Sequence, residues 1–222
     1  MRPYGVLLLA TIAIGGAIAT EAAEAAVITY TDRAAFQAAT GTTKIETFNS
    51  FERDLSYWSG GTVDVGDFTL SGSATSHIQW NRIDVPRGEI PSLDIDGTPF
   101  ASTVTGTSTS FTIKFDSEIF AFGADFATIS DDGRTTHIDL GLGLPQIDVP
   151  DLQSGFFGLT SNTAFSSLTF AANSNYDGWS FDNVEYGNLR APISHSVPEP
   201  TSVLSLLALG SLLIGGGALK RK

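Results

Sequence analysis

The run Ser110-Phe-Thr-Ile-Lys-Phe115 alternates large apolar side chains with polar ones, and no other feature narrows the choice of fold as much. Successive side chains of an extended strand point to opposite faces. Phe111, Ile113 and Phe115 therefore fall on one face, Thr112 and Lys114 on the other. Ile119 to Phe126 repeats the pattern with Phe120, Phe122 and Phe126. Further short segments of this kind are Lys44–Phe48, Phe68–Ser71, His77–Ile83, Thr135–Leu140, Gly155–Thr160, Phe165–Ala171 and Trp179–Tyr186, parted by Gly, Asp, Ser and Asn turns. The spacing predicts an all-β fold, an antiparallel jelly-roll-like β-sandwich, rather than alternating strand–helix units. In the last segment Trp179 and Phe181 share one face, Val184 and Tyr186 the other. A bulge at Asp182-Asn183 would turn both pairs inward. One short N-terminal helix is expected, capped by Thr31, with Asp32 in its first turn, Ala34 to Ala39 filling it and Gly41 ending it. The Ser- and Thr-rich stretch Thr98–Ser110 reads as loop and edge.

Both ends of the 222-residue chain stand apart from this body. Arg2, an apolar run from Val6 to Ala19 and then small residues have the layout of a secretory signal peptide, placed at residues 1–25. Ala23-Glu24-Ala25 supplies the small-x-small pattern that a signal peptidase reads, and Ala17-Ile18-Ala19 supplies it too. The alternative is an uncleaved anchor, for which the apolar run is short. Thr201 to Leu219 contains no charged residue and would make roughly 28 Å of helix, about one hydrocarbon core. Lys220, Arg221 and Lys222 follow it directly. Positive charge stays on the cytoplasmic side, so residues 26–190 form an ectodomain and 191–200 its linker to the transmembrane helix at 201–219. Pro198 and Pro200 fix their own φ and hold Val197 and Glu199 extended, which presents the glutamate outside the membrane.

This order of parts resembles the PEP-CTERM protein-sorting signal of Gram-negative bacteria. Val197, Pro198, Glu199 and Pro200 match its recognition motif, Thr201 to Leu219 its span, and Lys220, Arg221 and Lys222 its membrane stop. The resemblance implies export by the Sec machinery, an inner-membrane intermediate anchored by the C-terminal helix, and processing by an exosortase, with release or attachment at the cell surface. Ala121–Phe126, Gly155–Phe170 and Asp177–Gly187 are similar to the closing strands of the β-sandwich ectodomain common in such proteins, which implies a fold and a surface role but no reaction.

Charge and composition exclude several functions. The chain carries 12 Lys and Arg against 24 Asp and Glu, a formal net charge of −12. Four of the basic residues, Arg2, Lys220, Arg221 and Lys222, lie in the terminal segments, so the body is more acidic still. That argues against nucleic-acid binding, which relies on clustered Lys and Arg. With no cysteine there is neither a disulfide framework nor a thiol nucleophile. Gly-x-Ser-x-Gly is absent, and His77, His137 and His195 have no metal-site spacing. His137 and Asp139 share a strand face, as a base and its orienter would, or as any solvated face does. These features predict a non-enzyme.

Two binding functions compete with a purely structural one. Asp94-Ile-Asp96-Gly97, Asp131-Asp132-Gly133 and the group Asp177, Asp182 and Asn183 offer hard oxygen ligands for calcium, the last group best. Asp-Gly pairs also simply mark turns. Tyr57, Trp58, Trp80, Tyr176 and Trp179 offer flat faces for sugar rings, with Tyr57 and Trp58 the most exposed by their polar surroundings; the same rings also suit a core. The expectation is an exported, non-catalytic protein of the surface or of an exopolysaccharide or biofilm matrix, without a required cofactor. The alternative is a carbohydrate-binding module, with or without calcium.

Overall fold

The computed structural model describes residues 25–75, 80–86 and 92–189. Most of the expected signal peptide, His77, His195, the motif Val197–Pro200, the span Thr201–Leu219 and the basic Lys220–Lys222 lie outside them. Among the described residues no helix is long and apolar enough to cross a membrane. The elements in chain order are β1 (Val27–Tyr30), α1 (Arg33–Ala39), β2 (Thr40–Glu46), β3 (Leu55–Ser56), β4 (Thr62–Asp64), β5 (Phe68–Gly72), β6 (Arg82–Asp84), β7 (Phe100–Thr105), β8 (Ser110–Ile129), β9 (Thr136–Asp139), β10 (Ile147–Asp148), β11 (Leu152–Ala172) and β12 (Asp177–Leu189). The fold is mostly antiparallel β with one short helix, as the alternation predicts.

Two long strands organise it. β8 and β11 pair over Gly155–Thr160 with Phe126–Ala121, shift register between Thr160 and Ser167, and pair again over Ser167–Ala171 with Lys114–Ser110. Beyond the shift, the first part of β8 takes β5 as its other neighbour, while the second part takes β12. One half of the hydrogen-bonded network therefore runs β4-β5-β8-β11-β9-β10. The other runs β1-β11-β8-β12, with β2 and β7 side by side along β12 and β6 and β3 beyond β7.

Aromatic rings join the halves. Phe111, from the first half, lies 5.6 Å from Trp179 and 5.4 Å from Phe181 of the second. Phe170 stacks 5.0 Å from Trp179, and Phe115 lies 5.2 Å from Tyr186. Such tilted and edge-on pairs suit the ring quadrupole and add about 0.5–1.5 kcal/mol each to the burial itself. The expected bulge in β12 is present. Asp182 pairs with Asp125 and Glu185 with Gly123, so β12 carries one extra residue, and Asn183 absorbs it at φ 52°. Trp179, Phe181, Val184 and Tyr186 all reach the core as a result.

Three local expectations change. Asp32, not Thr31, caps α1 by accepting a hydrogen bond from the Ala35 amide at 2.7 Å, and Thr40 rather than Gly41 closes the helix. Phe100–Thr105, expected as loop and edge, is a strand whose six residues are all buried. Its hydroxyls find partners there: Thr103 donates to Asn81 Oδ1 at 2.9 Å and Ser102 to the Arg82 carbonyl at 3.4 Å. Of the segment expected at His77–Ile83, the described residues begin at Trp80 and form strand from Arg82.

α1 lies on the outer face of β8 and β11, where Phe36 packs against Phe156, Tyr30 and Ala121 in a small second core. Gly158 makes this close approach possible, since a Cβ there would stand 2.9 Å from the rings of both Phe36 and Phe156.

Candidate functional site

The outer face of β12, between α1 and the segment 92–98, collects four carboxylates. Trp179 and Phe181 point inward, so Ser180 and Asp182 point outward, and after the bulge Glu185 does too. The segment 92–98 lies across this face: Ser180 donates to the Leu93 carbonyl at 2.6 Å, and Thr98 Oγ1 reaches Asp182 Oδ2 at 3.2 Å. Asx turns hold the segment, with Gly97 donating to Asp94 Oδ1 at 2.6 Å and Thr98 N to Asp96 Oδ1 at 3.0 Å.

The bulge residue is the hub. Asn183 Nδ2 donates to Asp125 Oδ2 at 3.0 Å and reaches Asp96 Oδ2 at 3.5 Å, while its own amide donates to Asp182 Oδ1 at 2.6 Å. On the other side Arg33 bridges Asp125 at 2.9 Å and Glu185 at 3.1 Å, with its guanidinium 4.5 Å above the Phe156 ring. Glu185 also accepts from Gln37 at 3.1 Å and Thr43 at 2.8 Å.

The electrostatics of the cluster are uneven. Burial pushes the Asp182 carboxyl up to about 7; the Asn183 amide pulls against this and the neighbouring Asp96 adds to it. The Thr98 hydroxyl holds Asp96 below the usual carboxylate range. That hydroxyl has one proton and lies 2.5 Å from Asp96 but 3.2 Å from Asp182, so Asp96 receives it. Asp182 is then left with the Asn183 backbone amide as its short donor.

The expected calcium group does not assemble. Asp177 and Asp182 stand five residues apart on one strand, about 17 Å at the rise of extended chain. Asp177 instead ends a buried polar chain at the far end of β12. Trp179 Nε1 donates to Thr105 Oγ1 at 3.1 Å, Thr105 lies 3.3 Å from Thr136 Oγ1, and Thr136 donates to Asp177 Oδ2 at 2.5 Å. The Ser130 amide donates to the same oxygen at 3.1 Å. Burial raises Asp177, and these two donors oppose the rise. Only Asp182 and Asn183 of the expected group share a site, joined by Asp96 of another expected cluster. Among the described residues no three Asp, Glu or His side chains are placed to hold a metal ion. Asp132 and Gly133 both have positive φ, as a tight turn between β8 and β9 requires.

The expected sugar platform is also divided. Tyr57 is fully buried, and its hydroxyl donates to the Ser102 carbonyl at 2.7 Å. Trp179 is a core residue, and Trp80 packs edge-on against Tyr176 with its ring over Gly178. Trp58 remains open, at 40% exposure. His137 and Asp139 share a face of β9, but Asp139 accepts from the Gly141 amide at 2.7 Å and so serves a turn.

Sequence reasoning passed over Arg33, Asp125, Thr98 and Glu185. A signal for two of them was present: Asp125 in AFGADF and Glu185 in WSFDNVEYG are charges inside aromatic strands, where an unpaired carboxylate is too costly to bury. A cavity of about 260 Å³ elsewhere on the surface is lined by Lys44, Asp67, Phe115, Ile119 and Tyr186, with Tyr186 and Lys44 both donating to Asp67 Oδ2, at 2.8 and 2.5 Å. No protein-family model matches the chain, and no curated protein matches it.

Proposed function

We propose that this is an exported, non-catalytic protein of the cell surface or extracellular matrix, sorted by its C-terminal Val197–Lys222 and processed there by an exosortase. The observation that carries the reading is in the tail: Val-Pro-Glu-Pro, an uncharged span and a basic end stand in the order and spacing that such sorting requires. The N-terminal signal peptide, removed by signal peptidase at one of its two small-x-small sites, directs the chain to the Sec machinery, and the C-terminal span holds it in the inner membrane until processing. The body is read as a jelly-roll-like sandwich, its two halves closed over the Phe111–Phe170–Trp179 rings. Its acidic composition suits a soluble partner of exopolysaccharide or biofilm matrix rather than of nucleic acid. The outer-face carboxylates support a structural role, because Arg33, Asn183 and Thr98 use them to tie α1 and the segment 92–98 to β12.

The mass of the mature C-terminus, compared between cells carrying and lacking an exosortase, tests the reading. A tail missing only where the enzyme is present supports it; an intact Thr201–Leu219 in both makes the tail a permanent anchor and overturns it. A second reading, a carbohydrate-binding module, rests on Trp58 as an exposed ring. A calcium-dependent form of it would draw on Asp182 and Asn183 without Asp177. Glycan binding lost in Trp58→Ala would favour this alternative.

A further inference from the structure

The first strand begins with a closed pair. The Ala26 amide nitrogen donates to Asn162 Oδ1 at 2.7 Å, and the Asn162 backbone N–H donates back to the Ala26 carbonyl at 3.1 Å. The ladder continues from there, Val27 opposite Ser161 through Tyr30 opposite Gly158. Ala26 is exposed and follows directly on Ala23-Glu24-Ala25, one of the two small-x-small sites. Beside the pair is a cavity of about 210 Å³ lined by Ala26, Ile28, Tyr30, Ala39 and Leu189.

We infer that the Ala25–Ala26 bond is the one cut on export and that Asn162 is the receptor for the new chain end. This rests on the export reading above and chooses between the two cleavage sites. Water adds across the bond, leaving a carboxylate on Ala25 and an α-amine on Ala26, which takes up a proton below about pH 8. The nitrogen already aimed at Asn162 then changes from a neutral amide to an ammonium. Its hydrogen bond becomes charge-assisted, about twice as strong as the neutral one. Cleavage after Ala19 would leave Thr20 to Ala25 attached, and the nitrogen facing Asn162 would stay an uncharged amide. A peptidase needs the bond extended and open, while docking of β1 holds Ala26. The cut therefore precedes the docking of β1, and the clamp closes on the processed chain.

The test uses the full-length gene in an exporting cell, with N-terminal sequencing and intact mass of the exported product. Ala26 as first residue is expected. Thr20 or any other first residue overturns the inference and leaves the export reading standing; a chain retained uncut overturns both. The exported wild type and Asn162→Ala, sharing one N-terminus, are then melted between pH 6.5 and 9.5. An ammonium that gains a partner on folding contributes stability below its unfolded pKa and loses it as pH rises through the folded value. The wild type should lose about 2–4 °C of its midpoint across pH 8 relative to Asn162→Ala, which should stay flat there. Asn162→Asp should keep or enlarge the slope, which guards against a mere folding defect in the alanine variant. Superimposable pH profiles of wild type and Asn162→Ala would overturn the clamp.

Discussion

Asp177 and Asp182 are both fully buried on β12, yet they are accommodated by different means. Asp177 is fed by donors: the Ser130 amide and a relay of hydroxyls that starts at Trp179. Asp182 has a backbone amide and a shared hydroxyl, and it faces Asp96 and Asp125 across the bulge. Both donors of the first meet Oδ2 and oppose the rise that burial causes, while its Oδ1 is buried without a partner among the described residues. Carboxylate neighbours around the second add to the rise that its burial causes. Burial thus raises both carboxyls, against two donors at Asp177 and with neighbouring carboxylates adding to it at Asp182, and what differs is the element packed over each.

Removing Asp177 should have the largest effect. Asp177→Ala leaves the Ser130 amide and the Thr136 hydroxyl without their acceptor in the interior, which should cost about 3 kcal/mol in denaturant unfolding. Asp177→Asn keeps an acceptor oxygen and should cost far less. Equal losses would mean that the charge, not the hydrogen bonding, holds this end together.

The second test reads the titration of Asp182. The folded-state value for Asp182 is about 7, above its unfolded value. Its contribution to stability is therefore complete below pH 4 and is lost as pH rises toward 7 and beyond. The ideal limit is about 1.4 kcal/mol per pH unit. Relaxation and water penetration reduce it, and a total of about 2 kcal/mol between pH 4 and 7 is expected. Asp182→Asn should remove that slope from the wild-type profile and be the more stable protein at pH 7. A variant as pH-dependent as the wild type would assign the slope elsewhere.

The smallest effect belongs to an exposed carboxylate. Lys44 and then Tyr186 hold Asp67 below its ordinary range, so its contribution has the opposite sign, present above pH 4 and lost on acidification. Lys44 is 66% exposed, and solvent screens the pair. Lys44→Ala should change stability by no more than about 0.5 kcal/mol.

How much of this was legible depended on where the deciding information lay. The alternation of Phe111, Ile113 and Phe115 is local, and so is the phase break that predicts the bulge at Asn183; both appear in the fold. β7 was not legible, because FASTVT carries no alternation and the hydroxyls of Ser102 and Thr103 are satisfied by Arg82 and Asn81, about 20 positions away. Tyr57 looked exposed among polar neighbours, but its partner is the Ser102 carbonyl on β7. For the same reason Asp177 and Asp182 do not share a site: closeness in sequence along a strand is distance in space, and the neighbours of Asp182 come from the segment 92–98 and from β8.

Ala26 and Leu189, near the two ends of the β body, line one cavity. The body is therefore close to a ring, with its ends meeting on one side. A short peptide could join them at little cost in loop entropy, and the chain could be opened instead at the Asp132-Gly133 turn. Such a permuted ring would retain every strand while separating the fold from both of its present ends, so the body could be carried as an insert within another protein's loop.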